Sequence, residues 1–256
     1  MRSFIAFSKK EVLESIRNGK AYIVCILFVA LGIMNPAIAK LTPWLMDTLS
    51  ESLAESGMTV GKIEINALTS WTQFFKNIPM GLIAFVVIFS GIFTKEYESG
   101  TLILVITKGL ARYKILFSKF ILIELLWSVS YWTCFLITYG YNAYFWDNSI
   151  AIALPEASLC WWLFGVFVIC LVVFFSVISR SSSGVLLGVG ASVLASYLLG
   201  FLPKLYKYTP TSLMDVSMDL TSSSDAEAYM YALVVSLALS VVCVTSSVFL
   251  FNKKQL

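Results

Sequence analysis

Six long apolar stretches constrain this chain more than any other feature of its sequence. An α-helix needs about 20 apolar residues to cross a bilayer, and each stretch is close to that length. Hydrophobic residues make up 59% of the chain and charged residues 13%, whereas charged residues make up about 25% of an ordinary soluble domain. The sequence therefore predicts an all-α polytopic membrane protein with a single transmembrane domain of six helices over 21–256. The predicted spans lie near 21–39, 78–94, 115–139, 159–179, 184–202 and 229–251.

The distribution of basic residues predicts which side of the membrane each loop faces. Thirteen of the 18 Lys and Arg residues fall before the first span, between spans two and three, between spans four and five, or after the last span. Because basic residues in short loops mark the cytoplasmic side, both termini are predicted to be cytoplasmic in a multi-pass protein of the cell membrane. The net charge of +3 is therefore a topology signal and requires no nucleic acid partner.

The loop between the second and third spans contains a second, much shorter apolar run. Residues 102–106, LILVI, lie within the basic segment 95–119, and five residues cannot cross a bilayer. Ser99, Gly100 and Thr101 precede them and suit a turn or a helix N-cap. The sequence predicts a short cytoplasmic helix near 99–107, and a partner protein is the expected cover for its apolar face.

The residues around this short helix resemble those of a known family. Acidic residues followed by Gly-Thr-Leu, an apolar run, a basic turn and the entry at Ser118–Phe120 are similar to the second cytoplasmic boundary of type-2 permeases of ATP-binding-cassette (ABC) exporters. The resemblance implies that the helix is a coupling helix, which docks on a separate ATPase subunit. The turn at 108–112 lacks the proline that is usual in that family. The implied docking residues are Glu96, Glu98, Ser99, Gly100, Thr101, Leu102, Ile103, Val105, Ile106 and Arg112.

The segment before the first span, 1–20, is predicted to form a cytoplasmic interfacial helix. Over residues 2–18 the apolar and charged residues separate onto two helical faces, and Asn18–Gly19 permits a turn into the membrane. The resemblance implies the same, because such permeases begin with an elbow helix. The alternative is a solvated basic flank that only sets topology. The apolar face consists of Ile5, Val12, Leu13 and Ile16.

The predicted outer loop, 40–77, carries helical patterns of its own. Asn35–Pro36 is expected to kink or end the first span, and a separate amphipathic helix is expected from Thr42–Pro43 to Gly57. The helix of the second span is expected to start early and to break at Asn77–Pro79. The loop is interpreted either as a gate at the exit of a pathway or as a cap on the bundle.

Two further sets of residues inside the spans are candidate functional positions. Glu124 lies in the third span, where a carboxylate is costly. It marks a functional site, or it is structural and reaches the headgroups or pairs with Lys119 or with a basic residue of the inner loop. The fifth span has small residues at G-x-x-x-G spacing, which allows close helix contact within the chain or with another subunit. The resemblance implies a pathway between two permease subunits, with this span near their interface. The small residues are Gly184, Gly188, Gly190 and Ser192.

Several chemistries are excluded by residues that the sequence lacks. It contains no His, so a His-based triad or an imidazole relay is impossible, and it lacks the P-loop pattern G-x-x-x-x-G-K-[ST]. The five cysteines show no C-x-x-C spacing and are expected to be free buried thiols. The chain is therefore predicted to be no enzyme, with no metal or cofactor of its own. ATP and Mg would be bound by a partner ATPase.

The function that the resemblance implies is that of the permease subunit of an ATP-driven ABC exporter. Two copies as a homodimer, or this chain and a paralogue, would form the pathway in the lipid bilayer, and two ABC ATPase subunits would bind the coupling helices. Apolar, aromatic spans suit an amphipathic or hydrophobic cargo, and similar permeases export toxin or antimicrobial peptides, so a peptide is the expected substrate. The alternatives are an ion-coupled secondary transporter that uses Glu124, and a non-transporting membrane immunity or sensor component.

Overall fold

The computed structural model describes residues 2–54, 66–98, 100–107, 109–221 and 226–254, and this part of the chain forms helices and turns but no strand. Two single-turn 3₁₀ segments lie at Asn148–Ile150 and Tyr206–Tyr208. The α-helices are α1 Arg2–Arg17, α2 Lys20–Ala54, α3 Ala67–Phe89, α4 Thr94–Glu98, α5 Thr101–Thr107, α6 Arg112–Phe145, α7 Leu154–Ile178, α8 Ser182–Gly200, α9 Ser212–Asp215 and α10 Ala226–Lys253.

Six of these helices are long and apolar enough to cross a membrane, and they confirm the six predicted spans. They are α2, α3, α6, α7, α8 and α10. Helix α6 has 34 residues, which at 1.5 Å per residue is about 50 Å. A hydrocarbon core is only about 30 Å thick, so α6 extends beyond it.

The core of the bundle forms around α7. This helix packs against α3, α6, α8 and α10, and it is apolar all round, as a helix with neighbours on every side needs to be. Trp127 of α6 lies directly on α7, where the Cβ of an alanine at Gly165 would be 2.1 Å from the indole ring. The Trp127 indole N–H donates to the Trp162 carbonyl (3.2 Å), and the Tyr131 hydroxyl donates to the Ser158 carbonyl (2.7 Å). The glycine at 165 thus permits the tightest contact between α6 and α7.

The predicted end of the first span at Asn35–Pro36 is wrong, and so is the separate helix from Thr42–Pro43. Both Pro36 and Pro43 lie inside the single helix α2. Pro36 has no N–H for the carbonyl of Gly32, four residues earlier, but that carbonyl accepts the Thr138 hydroxyl of α6 (3.1 Å). A neighbouring helix therefore satisfies the group that the proline frees, which is how membrane helices tolerate proline. The predicted end at Gly57 lies outside the described residues.

The second span starts early, as predicted, but it does not break at Asn77–Pro79. Asn66 caps the N-terminus of α3 by accepting the Thr69 backbone N–H (3.3 Å), and the helix continues through Pro79 to Phe89. The Asn77 amide donates to the Asn35 side-chain oxygen (2.9 Å). This hydrogen bond joins α3 to α2 beside the proline of each helix.

Candidate functional site

The short helix α5 lies at the end of the bundle where α1, α4 and the C-terminus of α10 also lie, and we call this the basal end. Gly100 and Gly109 flank α5 with φ angles of +66° and +87°, a conformation that side chains other than glycine rarely adopt. The chain therefore turns sharply on both sides of α5. A helix is present within the predicted range 99–107, and its contact with an ATPase stays a prediction.

The side chains of α5 divide between the bundle and the exterior. Leu102 is 1% exposed and belongs to the hydrophobic core, and Ile106 is half-buried against that core. Ile103 is 46% exposed. Leu102 thus anchors α5 within the chain, and Ile103 faces outward. Of the other implied docking residues, the side chains of Glu98, Ser99 and Val105 lie outside the described residues.

Arg112, the last of the implied docking residues, contacts the C-terminus of α10. Its guanidinium donates to the carbonyl oxygens of Phe251 (3.0 Å), Asn252 (3.2 Å) and Lys254. The Lys254 ammonium in turn donates to the Val177 carbonyl at the end of α7. Cations at helix C-termini satisfy the last carbonyl groups and the helix dipole. Arg112 therefore joins the start of α6 to the end of α10, and Lys254 joins the end of α10 to the end of α7.

Helix α1 packs on the bundle through its polar side. Phe7, Glu11 and Ser15 are buried, and the Ser118 hydroxyl of α6 donates to that of Ser8 (2.9 Å). The four apolar residues predicted to share a face are exposed, as an interfacial helix in contact with lipid requires. They are Ile5 at 64%, Val12 at 42%, Leu13 at 45% and Ile16 at 38% exposure.

A group of charges, partly buried and partly exposed, joins α1, α4 and α6, and we call it the basal charge cluster: Lys10, Glu11, Glu14, Glu96 and Lys119. Lys119 lies 2.7 Å from Glu11 and 3.0 Å from Glu96. Lys10 lies 2.7 Å from Glu14, 3.1 Å from Glu11 and 3.6 Å from Glu96. The side chains of Lys119 and Glu11 are only 3% and 5% exposed. Removing one member of such a buried pair leaves an uncompensated charge, at a cost of about 3–5 kcal/mol.

The charges in this cluster also alter one another's ionisation. Burial lowers the pKa of Lys10, but the hydrogen bond to Glu14 and the charge of Glu11 outweigh it, and the net pKa is raised. The same hydrogen bond is the main cause that lowers the pKa of Glu14. Both groups are therefore held in their charged forms at neutral pH. Sequence reasoning did not find this cluster, because Glu11 and Lys119 are 108 positions apart and no local pattern joins them.

The predicted pairing of Glu124 with Lys119 is wrong. Lys119 is bound to Glu11 and Glu96 instead, one and a half turns nearer the basal end. Among the described residues, Oε1 of Glu124 is buried without a hydrogen-bond partner. Its charge acts on the thiol of Cys170 of α7. The function of Glu124 stays a prediction.

The small residues of α8 face two directions. The Cβ of an alanine at Gly188 would lie 2.3 Å from the ring of Phe175, so this glycine serves packing against α7 within the chain. Gly184 lies next to Ser179, and the Ser192 hydroxyl donates to the Gly188 carbonyl of its own helix. Gly190 is open and lines an apolar groove of about 450 Å³ between α3, α7 and α8. That groove is the main apolar feature of the exposed α8 face.

Comparison with known proteins identifies one family. A model of one family, described as ABC-2 family transporter protein, matches residues 5–256, which is nearly the whole chain. Comparison with curated protein sequences found no match. Because the family match extends from α1 to the end of α10, the chain belongs to the ABC-2 family of transporter proteins.

Proposed function

We propose that the chain is the membrane-spanning permease subunit of an ATP-driven ABC exporter, with its basal end in the cytoplasm and a separate ATPase bound at α5. The observation that carries this proposal is the form of α5. It is a seven-residue helix between two glycines of positive φ, anchored by Leu102, with Ile103 exposed. A helix fixed to the bundle by one apolar side chain while another faces outward can present that side chain to a partner.

The contacts of the basal end suggest how a force on α5 would reach the spans. Helix α4 contacts α5, and Glu96 of α4 is 3.0 Å from Lys119 of α6. Arg112 joins the start of α6 to the end of α10. Closure of two ATPase subunits would therefore move α3, α6 and α10 together between discrete arrangements. ATP and Mg²⁺ would be bound by those ATPase subunits, and this chain supplies the moving helices.

The pathway and its cargo are the finer part of the proposal. Two permease copies, or this chain and a paralogue, would face each other through α8, most of whose side chains are exposed. The groove beside it is lined almost entirely by apolar residues, including Ile83 and Val87 of α3 and Val193 of α8. Such a surface suits an amphipathic or hydrophobic cargo, and a toxin or antimicrobial peptide is the cargo that we propose.

The ATPase contact is tested by co-purification of an ABC ATPase with the tagged chain. We expect Ile103→Asp to abolish co-purification, because a charge at the centre of the contact remains unpaired, while folding is unaffected at an exposed site. Leu102→Ala is the matched control on the same helix. It creates a core cavity and should lower stability by about 2–5 kcal/mol while the folded fraction still binds the ATPase. Full binding by a folded Ile103→Asp chain would contradict the proposal.

The cargo is tested separately, in proteoliposomes that contain the chain and its ATPase. Amphipathic peptides should stimulate ATP hydrolysis, and Gly190→Phe, which fills the groove at an open position, should reduce that stimulation. Stimulation by lipids or small drugs but not by peptides would contradict the peptide assignment and leave the ATPase contact intact.

A further inference from the structure

A polar pocket of about 230 Å³ lies beside the basal charge cluster, at the junction of α1, α2, α3 and α6. Its walls come from the last turns of α1, the first residue of α2, the turn after α3, and α6 near Lys119. At the pocket, α2 therefore starts, α3 ends and α6 passes by. Because α2 and α3 meet the membrane boundary there, the pocket lies at the level of the lipid headgroups.

Two lysines in the pocket, Lys20 and Lys95, are outside the ion pairs of the described residues. Both line the pocket, and neither lies at salt-bridge distance from a carboxylate whose side chain the structure describes. The like charges of Lys95 and Lys119 repel the ammonium of Lys20. An anion between Lys20 and Lys95 would relieve this repulsion.

The position of Lys95 is set by a glycine. The Cβ of an alanine at Gly91 would lie 3.0–3.2 Å from Cγ, Cδ and Cε of Lys95, so the lysine stem lies across the bare backbone of Gly91. Both residues line the pocket. The ammonium of Lys95 is thus directed along the pocket wall although the residue itself is exposed.

An unpaired hydroxyl gives a second, independent indication of a ligand. Ser15 is 7% exposed, it lines the pocket, and its Oγ is buried without a hydrogen-bond partner in the described part of the chain. A buried hydroxyl without a partner is costly, and a bound acceptor oxygen would satisfy it. Asn18, at the mouth of the pocket, offers an amide donor on the same side.

The three carboxylates of the pocket do not oppose an anion. Glu11, Glu14 and Glu96 are each within 3.6 Å of Lys10 or Lys119. The lining itself holds three lysines, Lys20, Lys95 and Lys119, and the same three carboxylates. Lys10 lies outside the lining and pairs with those carboxylates, so they are already paired with Lys10 and Lys119, and Lys20 and Lys95 remain for an anion. A zwitterionic choline headgroup would bring another cation to this site, whereas an anionic headgroup would not.

We propose that this pocket binds the phosphate group of an anionic glycerophospholipid, with Lys20 and Lys95 as its cationic ligands and Ser15 as a hydroxyl donor. The deep wall is apolar, formed by Phe89, Ile92 and Leu122, and the exposed apolar face of α1 runs beside the pocket. Acyl chains can therefore remain in lipid while the phosphate enters. The bound lipid joins α1 and α2 to α4, next to the basal charge cluster. This assignment requires only that the chain is embedded in a membrane and is independent of the ATPase.

The test measures lipid retention by native mass spectrometry of the purified full chain with phosphatidylglycerol, phosphatidylethanolamine and phosphatidylcholine. We expect phosphatidylglycerol to be retained about tenfold better than phosphatidylcholine, a difference that corresponds to about 1.4 kcal/mol. The double variant Lys20→Gln/Lys95→Gln should lose this preference. In phosphatidylcholine alone the thermal unfolding midpoint of this double variant should be no lower than that of the wild type, because the variant removes two cations that repel each other.

Further variants separate a specific pocket from general attraction to an anionic surface. Lys9→Gln/Arg17→Gln removes two exposed cations of α1 outside the pocket and should keep the preference within about twofold. Lys20→Arg/Lys95→Arg keeps both charges and should also keep it. Ser15→Ala should weaken phosphatidylglycerol binding by about tenfold without changing stability in phosphatidylcholine. Equal loss in the Lys9/Arg17 variant, or no loss in the Lys20/Lys95 variant, would overturn the assignment.

A competition experiment distinguishes a lipid from a soluble phosphate compound as the ligand. sn-Glycerol 3-phosphate and inorganic phosphate carry the same anionic group without acyl chains. We expect neither to displace phosphatidylglycerol at millimolar concentration, because the acyl chains contribute about 0.8 kcal/mol for each buried CH₂ group. Displacement at micromolar concentration would overturn the lipid assignment in favour of a soluble ligand.

Discussion

Helix α6 is joined to α7 and to α1 by two opposite kinds of contact. On α7 the indole of Trp127 fills the space that Gly165 leaves free. On the side of α1 the ammonium of Lys119 lies between the carboxylates of Glu11 of α1 and Glu96 of α4. Both contacts are buried, but the first depends on shape and the second on charge.

The two contacts differ in whether they can rearrange when the helices move. A ring against a bare backbone fits in one position, because an interior packed at crystal density has no room for a displaced indole. The charge cluster contains alternatives, since Lys119 has two carboxylate partners and Lys10 has three. We expect α6 and α7 to move as one body, while α1 and α4 exchange ion-pair partners at the basal end.

The largest effect is expected from Lys119→Met. It leaves Glu11 and Glu96 buried at the place where their shared cation was, and the free energy of unfolding should fall by about 3–5 kcal/mol. Combining it with Glu11→Leu should recover most of that loss, because an apolar pair of similar volume replaces a broken ion pair. Chemical unfolding in detergent measures both. A single variant that costs less than about 1 kcal/mol would show that the cluster is solvated.

The shape contact is tested by Gly165→Ala. The added Cβ would lie 2.1 Å from the Trp127 ring, so the indole must move and lose its hydrogen bond to Trp162. We expect a loss of about 3 kcal/mol in the free energy of unfolding. Gly140→Ala on α6 is the matched control, since nothing lies within 4 Å of its Cβ. It should be neutral or stabilising by up to about 1 kcal/mol. Equal effects at both sites would contradict the shape argument.

A smaller effect is expected from Thr138→Val, which removes the hydroxyl that satisfies the Gly32 carbonyl. The cost should be about 1–3 kcal/mol, the usual cost of a buried acceptor without a donor. Pro36→Ala restores an N–H that can bond to the same carbonyl within α2. It should therefore stabilise the Thr138→Val protein more than it stabilises the wild type. Equal effects of Pro36→Ala in both backgrounds, measured as thermal unfolding midpoints, would exclude this compensation.

The smallest effect is expected from Lys10→Gln, because its side chain is 48% exposed and exposed ion pairs contribute about 0.2–1 kcal/mol. The pKa of Glu14 is lowered in the folded protein, mainly by Lys10. The stability that this pair supplies is therefore present at neutral pH and is lost as the pH falls through the folded-state pKa. The difference in unfolding midpoint between Lys10→Gln and the wild type should shrink in acid. A difference that grows in acid would contradict the pairing.

The elements that could be predicted from the sequence are those with a local signal. Each of the six spans is a run of apolar residues, and α5 is an apolar run too short to cross and bounded by glycines. The helical spacing of apolar and charged residues also predicted the two faces of α1. The face of α1 that packs on the bundle could not be predicted from the sequence. A glutamate such as Glu11 is usually solvated, and only the structure shows that Lys119 pairs with it.

The helix boundaries at prolines show where local rules failed. Pro36 was expected to kink or end a helix and Pro43 to start one, and α2 continues through both. The rule is sound for an isolated helix, since proline removes a backbone donor. The helix does not end at Pro36 because the hydroxyl of Thr138 on α6, 106 positions after Gly32, satisfies the freed Gly32 carbonyl.

By itself the sequence determined that this protein is embedded in a membrane, how many helices span it, and that a short helix interrupts the loop between the second and third spans. Apolar length and charge placement decide these features, and both are local. Only the tertiary structure decided that α7 is central and α8 peripheral, that Lys119 pairs with Glu11 and Glu96 rather than Glu124, and that Leu102 is buried while Ile103 is exposed. These features depend on which side chains meet across distant parts of the chain, where the free energy of a buried charge or a ring is set by its neighbours.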